Sequence, residues 1–171
     1  GISIARFRQG LGTARIVRTM PNTPAQLGKG ITGAVAADTV TDEDRALAQA
    51  LLAAAGEVVW LDDESRIDAL SAVSGSGPAY VFHLVEALAA AGEKQGLDAE
   101  QAMRLARQTI IGAAALLEAD PASAGQLRKN VTSPGGTTQA ALEVLMAENG
   151  LAVLMDRAVD AARRRSEELG K

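Results

Sequence analysis

No convincing strand can be read in this chain after Asp62, whereas three can be read before it. From Glu64 to Leu169 apolar residues recur three and four apart, the spacing of one helix face, with caps and breakers between the runs. The first 61 residues read differently. Residues 2 to 10 make a short helix, with Ile2, Ala5 and Phe7 apolar, and Gly10 and Gly12 stop it. Ala14 to Met20 reads as a strand around Ile16 and Val17, and Ile31 to Ala37 as a second. Thr41 caps a helix whose first turn holds Asp42, Glu43 and Asp44, where the helix dipole favours acids. Gly56 ends it, and Val58-Val59-Trp60-Leu61 is a third strand. Helix, strand, strand, helix, strand is the tail of an α/β domain. The expected class is α+β to mostly α, with residues 1–61 as that tail and residues 62–171 as a helical domain. The chain opens on Gly1, and its first residues read as mid-domain, so it is expected to be a piece of a larger protein.

In the helical part, Glu64 to Val73 forms a short helix that Ser74-Gly75-Ser76-Gly77-Pro78 interrupts, with Pro78 placed as a first helical residue. The helix from Ala79 to Lys94 is apolar nearly all round (Tyr80, Val81, Leu84, Val85, Leu88), so it is expected to be buried, with a second subunit as its cover. Asp98 with Gln101, and Ser123 with Gln126, have the spacing of capping boxes at the next two helices. Helices from Thr138 to Glu148 and from Leu151 to Leu169 complete the pattern.

Composition excludes several chemistries. The chain has no cysteine and one histidine, His83, so thiolate catalysis, disulfides and His-based metal clusters fall away, and no metal site is expected. His83 is expected to be a hydrogen-bonded helix histidine, and Tyr80 a packed tyrosine rather than a proton donor. A net charge of −4 and aromatics at 2% argue against a nucleic-acid binder. Arg163-Arg164-Arg165 reads as a solvated helix face. No apolar run is long enough for a signal peptide or a membrane span, so the cytoplasm is the expected compartment.

Three stretches carry candidate chemistry. Gly10-Leu11-Gly12 is not a dinucleotide fingerprint, because the third glycine is missing and it precedes a strand instead of following one. Met20-Pro21-Asn22-Thr23-Pro24 follows a strand, at the edge where open α/β sheets bind ligands; an ordinary Asx turn fits it equally. Val131-Thr132-Ser133-Pro134-Gly135-Gly136-Thr137-Thr138 lies between two helical runs. Pro134 stops the first run, the glycines admit close approach, and the threonines open a helix whose N-terminus favours an anion. A small carboxylate or phosphate suits that loop, and so does a plain Gly-rich turn with a Thr N-cap.

With Ser74-Gly75-Ser76-Gly77-Pro78-Ala79-Tyr80, these last two stretches resemble, in order and spacing, the Δ1-pyrroline-5-carboxylate reductases, NAD(P)H-dependent enzymes that make proline. The resemblance runs across nearly all of the chain and matches the C-terminal two-thirds of the family. It implies a Rossmann α/β tail over residues 1–61, then an all-α dimerisation and substrate-binding domain over residues 62–171, with the site between domains. It implies interlocked homodimers that often assemble into decamers, rings of five dimers. It places the substrate carboxylate on the central loop (Ser133, Pro134, Gly135, Gly136, Thr137), specifically on Ser133 and the N–H groups of Gly136 and Thr137. Thr138 is the catalytic position, its hydroxyl meeting the imine nitrogen. Pro21, Asn22, Thr23 and Pro24 border the nicotinamide of NADPH or NADH, and Asn130 lies near the cofactor. The family's glycine fingerprint falls upstream of Gly1, so these residues alone are not expected to reduce the imine at a normal rate.

Hydride transfer is the cofactor's chemistry, and the protein orients and polarises. Two other readings stand beside this one. One is a non-catalytic helical dimerisation module. The other is a related Rossmann-plus-helices hydroxyacid dehydrogenase, which would need a helical lysine; Lys94 and Lys129 are the mid-helix candidates and neither sits in such a motif. A serine hydrolase is poorly supported, because Ser74 and Ser76 lack nucleophile-elbow spacing.

Overall fold

Edge-to-edge pairing sets the frame of the α/β part. In the computed structural model, which describes residues 1–170, β1 (Val17–Met20), β2 (Gly30–Ala36) and β3 (Gly56–Trp60) form one sheet in that order. β1 runs antiparallel to β2, with Val17 opposite Ala36 and Met20 opposite Gly33. β3 runs parallel to β2, with Gly30 opposite Gly56 and Ala34 opposite Trp60. A parallel neighbour requires a crossover, and α2 (Asp42–Ala53) supplies it. The three strands and two helices fall in the expected order.

Contacts gather residues 1–79 and the chain from Arg157 onward into one compact unit, and residues 80–156 into another. The first unit has a core of Ile4, Ile16, Val35, Ala37 and Ile67, with Phe7, Met20, Val40 and Leu61 packed on it. Central β2 is its most buried strand: Thr32, Ala34 and Val35 are all buried. The sequence accounts for the ends of its helices. Ser3 caps α1 (Ile4–Leu11), its Oγ accepting from Arg6 N at 3.3 Å. Glu64 adds a distant acceptor: its Oε1 takes Ile4 N–H and Arg18 Nη1–H, each at 2.7 Å. Thr41 and Asp44 form a reciprocal capping box on α2, at 3.2 and 3.1 Å. Arg45 lies over the Trp60 ring, 4.3 Å from its centroid, and Gln49 Oε1 accepts from Trp60 Nε1 at 2.7 Å.

The helix expected from Glu64 to Val73 divides in two. α3 (Arg66–Leu70) is regular, and Ser71–Gly75 continues as a π-helical turn, with Ser76 N donating to Ser71 O at 2.8 Å. Close packing against the sheet fixes this segment: a methyl on Gly33 would lie 2.2 Å from Leu70 Cδ1. The C-terminal part of α8 (Leu151–Leu169) joins the same unit, and Ser166 Oγ donates to Asp68 Oδ1 at 2.6 Å. The arginine run pairs along its own helix, Arg164 with Asp160 and Arg165 with Glu168, each at 2.8 Å.

The second unit is helical: α4 (Gly77–Lys94), α5 (Ala99–Ala119), α6 (Ala124–Asn130), α7 (Thr137–Leu145) and the start of α8. Its buried core is small, Ala89, Ala102 and Ala106 with Val85 against them. Within one chain α4 is not covered, as expected of a helix whose cover is a second subunit. Phe82 is 65% exposed, Leu84 45% and Leu88 43%. His83 is exposed too, with Nδ1 3.1 Å from Glu86 Oε2. Each expected capping box here is half made. Asp98 accepts from Gln101 N at 2.9 Å and Ser123 from Gln126 N at 3.2 Å, while the Gln126 amide turns to Asn130 Oδ1 at 2.7 Å. α7 stops at Leu145, short of the expected Glu148. No helix among the described residues is long and apolar enough to cross a membrane.

Candidate substrate loop and nicotinamide border

α6 ends at Asn130, and residues 131–136 carry the chain to α7. Thr132 ties the exit down, its Oγ1 donating to Arg128 O at 2.6 Å. Ser133 begins a tight turn in which Gly136 N donates back to Ser133 O at 3.0 Å. Gly135 sits at φ +70°, the left-handed region that a residue with a Cβ enters at a cost. Gly136 is the N-cap of α7, in extended backbone and with no side-chain cap, so a threonine N-cap is not what opens this helix. Thr137, Thr138 and Gln139 therefore head α7 with the N–H groups that an α-helix leaves without an internal acceptor. Ser133, Pro134, Gly135 and Thr137 are exposed; Thr138 is half-buried.

The loop makes hydrogen bonds of its own. The Gly136 N–H, expected on the substrate carboxylate, donates to Ser133 O at 3.0 Å in the turn. The Gly135 N–H is held by Gln139 Oε1 at 2.8 Å, and Gln139 Nε2 donates to Glu143 Oε1 at 3.0 Å. That leaves the exposed Ser133 side chain and the first amides of α7, the groups that a helix N-terminus offers to an anion. Gln139 was not singled out in the sequence. The signal was present, since a glutamine three residues after an N-cap is the position whose side chain reaches back over the helix start. Asn130, the expected cofactor neighbour, is exposed, and its Oδ1 is taken by Gln126.

The other candidate stretch belongs to the first unit. Asn22 is the N-cap of a 3-10 turn, Thr23–Leu27, that starts where β1 ends. Pro21 and Thr23 are exposed, and Asn22 and Pro24 are half-buried. The Asn22 carboxamide is used at both ends: Oδ1 accepts from Ile31 N at 3.0 Å, and Nδ2 donates to Ser74 O at 3.2 Å. The groups this stretch can offer a ligand are therefore the exposed faces of Pro21 and Thr23. Gly12, at φ +64°, terminates α1 ahead of β1.

Residues 64–169 match the family model for pyrroline-5-carboxylate reductase dimerisation. The whole chain aligns with a pyrroline-5-carboxylate reductase of Pseudomonas aeruginosa at 47% identity and spans 63% of that protein's length. Among solved structures, a pyrroline-5-carboxylate reductase from Coxiella burnetii superposes with a TM-score of 0.93 at 44% identity, over 100% of this chain and 63% of its own. A Plasmodium falciparum pyrroline carboxylate reductase with NADP bound gives a TM-score of 0.82 at 32% identity, over 99% of this chain and 67% of its own. The family model, the relatives and the fold agree, and this chain belongs to the pyrroline-5-carboxylate reductase family.

Proposed function

We propose that this chain is part of an NAD(P)H-dependent reductase that converts Δ1-pyrroline-5-carboxylate to proline, and that residues 133–138 hold the substrate. The observation that supports this most is the loop itself: a left-handed Gly135 between Ser133 and an α7 N-terminus that no side chain caps. Ser133 and the N–H groups of Gly136 and Thr137 take the carboxylate. Thr138 hydrogen-bonds the ring nitrogen while hydride adds at C5, the C=N electron pair moves to nitrogen, and a proton from solvent on that nitrogen completes the amine. Gly135, Pro134 and Gly136 shape the turn, and Gln139 holds it.

A bound nicotinamide cofactor, NADPH or NADH, supplies the hydride. Of this chain's residues, the loop Pro21-Asn22-Thr23-Pro24 borders its nicotinamide end, and Asn130 lies toward it. Anchoring a carboxylate beside a fixed donor is worth several kcal/mol, up to about 7–11 in ideal cases, so the protein needs no strong acid or base. Residues 1–61 act as cofactor-domain tail and residues 62–171 as dimerisation and substrate domain. The assembly is a homodimer, built further into a decamer of five dimers, in the cytoplasm. Exposed Phe82, Leu84, Leu88, Ile111 and Leu116 support a subunit partner. The same exposure favours the second reading, a helical dimerisation module without catalysis of its own.

The test is NADPH oxidation driven by pyrroline-5-carboxylate, using the reductase that contains these residues. Turnover that saturates with the imine, and yields proline, is the expected result. A dimer that folds and shows no such turnover would overturn the catalytic reading and leave the module.

A further inference from the structure

Asn22 makes two hydrogen bonds that no ligand accounts for, and a proline explains one of them. In an α-helix the carbonyl of Ser74 would receive the N–H of the residue four positions on. That residue is Pro78, which has no N–H. The donor five positions on, which a π-helical turn would bring to Ser74 O, is Ala79 N, and it donates to Ser76 O at 3.0 Å, while Ser76 N closes on Ser71 O at 2.8 Å. The missing donor comes from another element: Asn22 Nδ2 reaches Ser74 O at 3.2 Å across 52 residues of sequence. The other end of the same carboxamide accepts from Ile31 N, the second residue of β2, at 3.0 Å. Ser74 is tied from its own side as well, its Oγ donating to Leu70 O at 3.1 Å. Met20, two residues before Asn22, closes against the turn, because a methyl on Gly75 would lie 3.0 Å from its Cε. One half-buried side chain thus joins the loop after β1, the start of β2 and the turn that leads into α4.

We infer that Asn22 is a positioning residue: it clamps the loop carrying Pro21 and Thr23 to the π-helical turn by replacing the hydrogen bond that Pro78 removes. It acts on the reaction through those neighbours. The inference rests on the reading of residues 21–24 as the nicotinamide border.

Two variants and a rescue test it, in the reductase that contains this chain. Asn22→Asp keeps the acceptor for Ile31 N–H and sets a carboxylate oxygen in place of the donor to Ser74 O. Asn22→Ala removes both. Pro78→Ala gives Ser74 O a backbone donor within the helix. Asn22→Asp is expected to lower kcat about tenfold, the factor for one lost hydrogen bond, with KM for pyrroline-5-carboxylate within about twofold of wild type. Adding Pro78→Ala to Asn22→Ala is expected to return at least half of the kcat that Asn22→Ala loses. The same coupling is expected in urea midpoints, which need no substrate: Asn22→Ala lowers the midpoint less when Pro78→Ala is present. Wild-type kcat in Asn22→Asp, or no rescue of either readout by Pro78→Ala, overturns the clamp. If Asn22→Ala fails to fold, refolding by Pro78→Ala supports it and failure to refold overturns it. If the wild-type protein turns over no pyrroline-5-carboxylate, the proposed function is what fails, and the urea midpoints alone decide the clamp.

Discussion

Gly135 holds a φ of +70° with nothing within 4 Å of where a Cβ would stand, so only the backbone resists a side chain there. Gly135→Ala is expected to destabilise the loop by about 1–2 kcal/mol, from left-handed strain alone. It should raise KM for the imine more than it lowers the melting midpoint, because the loop is at the surface. Steady-state kinetics beside a thermal melt check this; a KM within error of wild type would contradict it. Ser133→Ala removes one hydroxyl from the carboxylate site and is expected to raise KM several-fold, with kcat changed less, since uniform binding is what is lost. The loop was legible in the sequence because each of its devices is local: a proline stop, two glycines and a helix start. How its amides are engaged was not legible, because Gln139 and Ser133 each accept from one through bonds that only the folded turn brings within reach.

At the scale of elements, the helix starts were read well where the cap is a neighbour in sequence, as at Thr41, Asp98 and Ser123. They were read less well where the second half of a box could bond elsewhere, as Gln126 does with Asn130. The π-helical turn was invisible for a similar reason, since its supports are Asn22 and the sheet surface at Gly33, both remote along the chain. Gly33→Ala is expected to cost about 1–3 kcal/mol, because the methyl overlaps Leu70 Cδ1 in a packed core. Chemical denaturation measures it, and a neutral substitution would mean that Leu70 has room to move. The start of α2 gives a pH prediction. The Arg15 guanidinium, followed by the Thr41 N–H, holds Asp44 down from 3.8 to about 2. The folded-state value is the lower one, so the contribution is present above the unfolded value and is lost as pH falls from 3.8 to about 2. Asn at position 44 cannot titrate, so the Asp44→Asn melting midpoint should fall less over that window than the wild type's. Parallel curves would contradict the assignment.

For the whole molecule, the informative element is α4. Its residues are apolar all round, and a helix of that kind is buried somewhere, yet within one chain Phe82 is 65% exposed. A single sequence carries the need for a cover but not the geometry of the surface that provides it. With the partner proposed here, Phe82→Asp should leave the protomer folded and weaken dimerisation on the order of 10²-fold, as a truncated interface anchor does. Sedimentation across a concentration series reads this directly, and an unchanged dimer would place the interface elsewhere. The central claim is that residues 133–138 present the imine to hydride, with Thr138 on its nitrogen. The most direct measurement is kcat for pyrroline-5-carboxylate-dependent NADPH oxidation by the reductase containing this chain, wild type against Thr138→Val. Val keeps the shape and removes the hydroxyl, so kcat should fall on the order of 10²-fold, the loss seen when one donor to a transition state is removed, with the fold intact. An unchanged kcat in Thr138→Val would contradict the account.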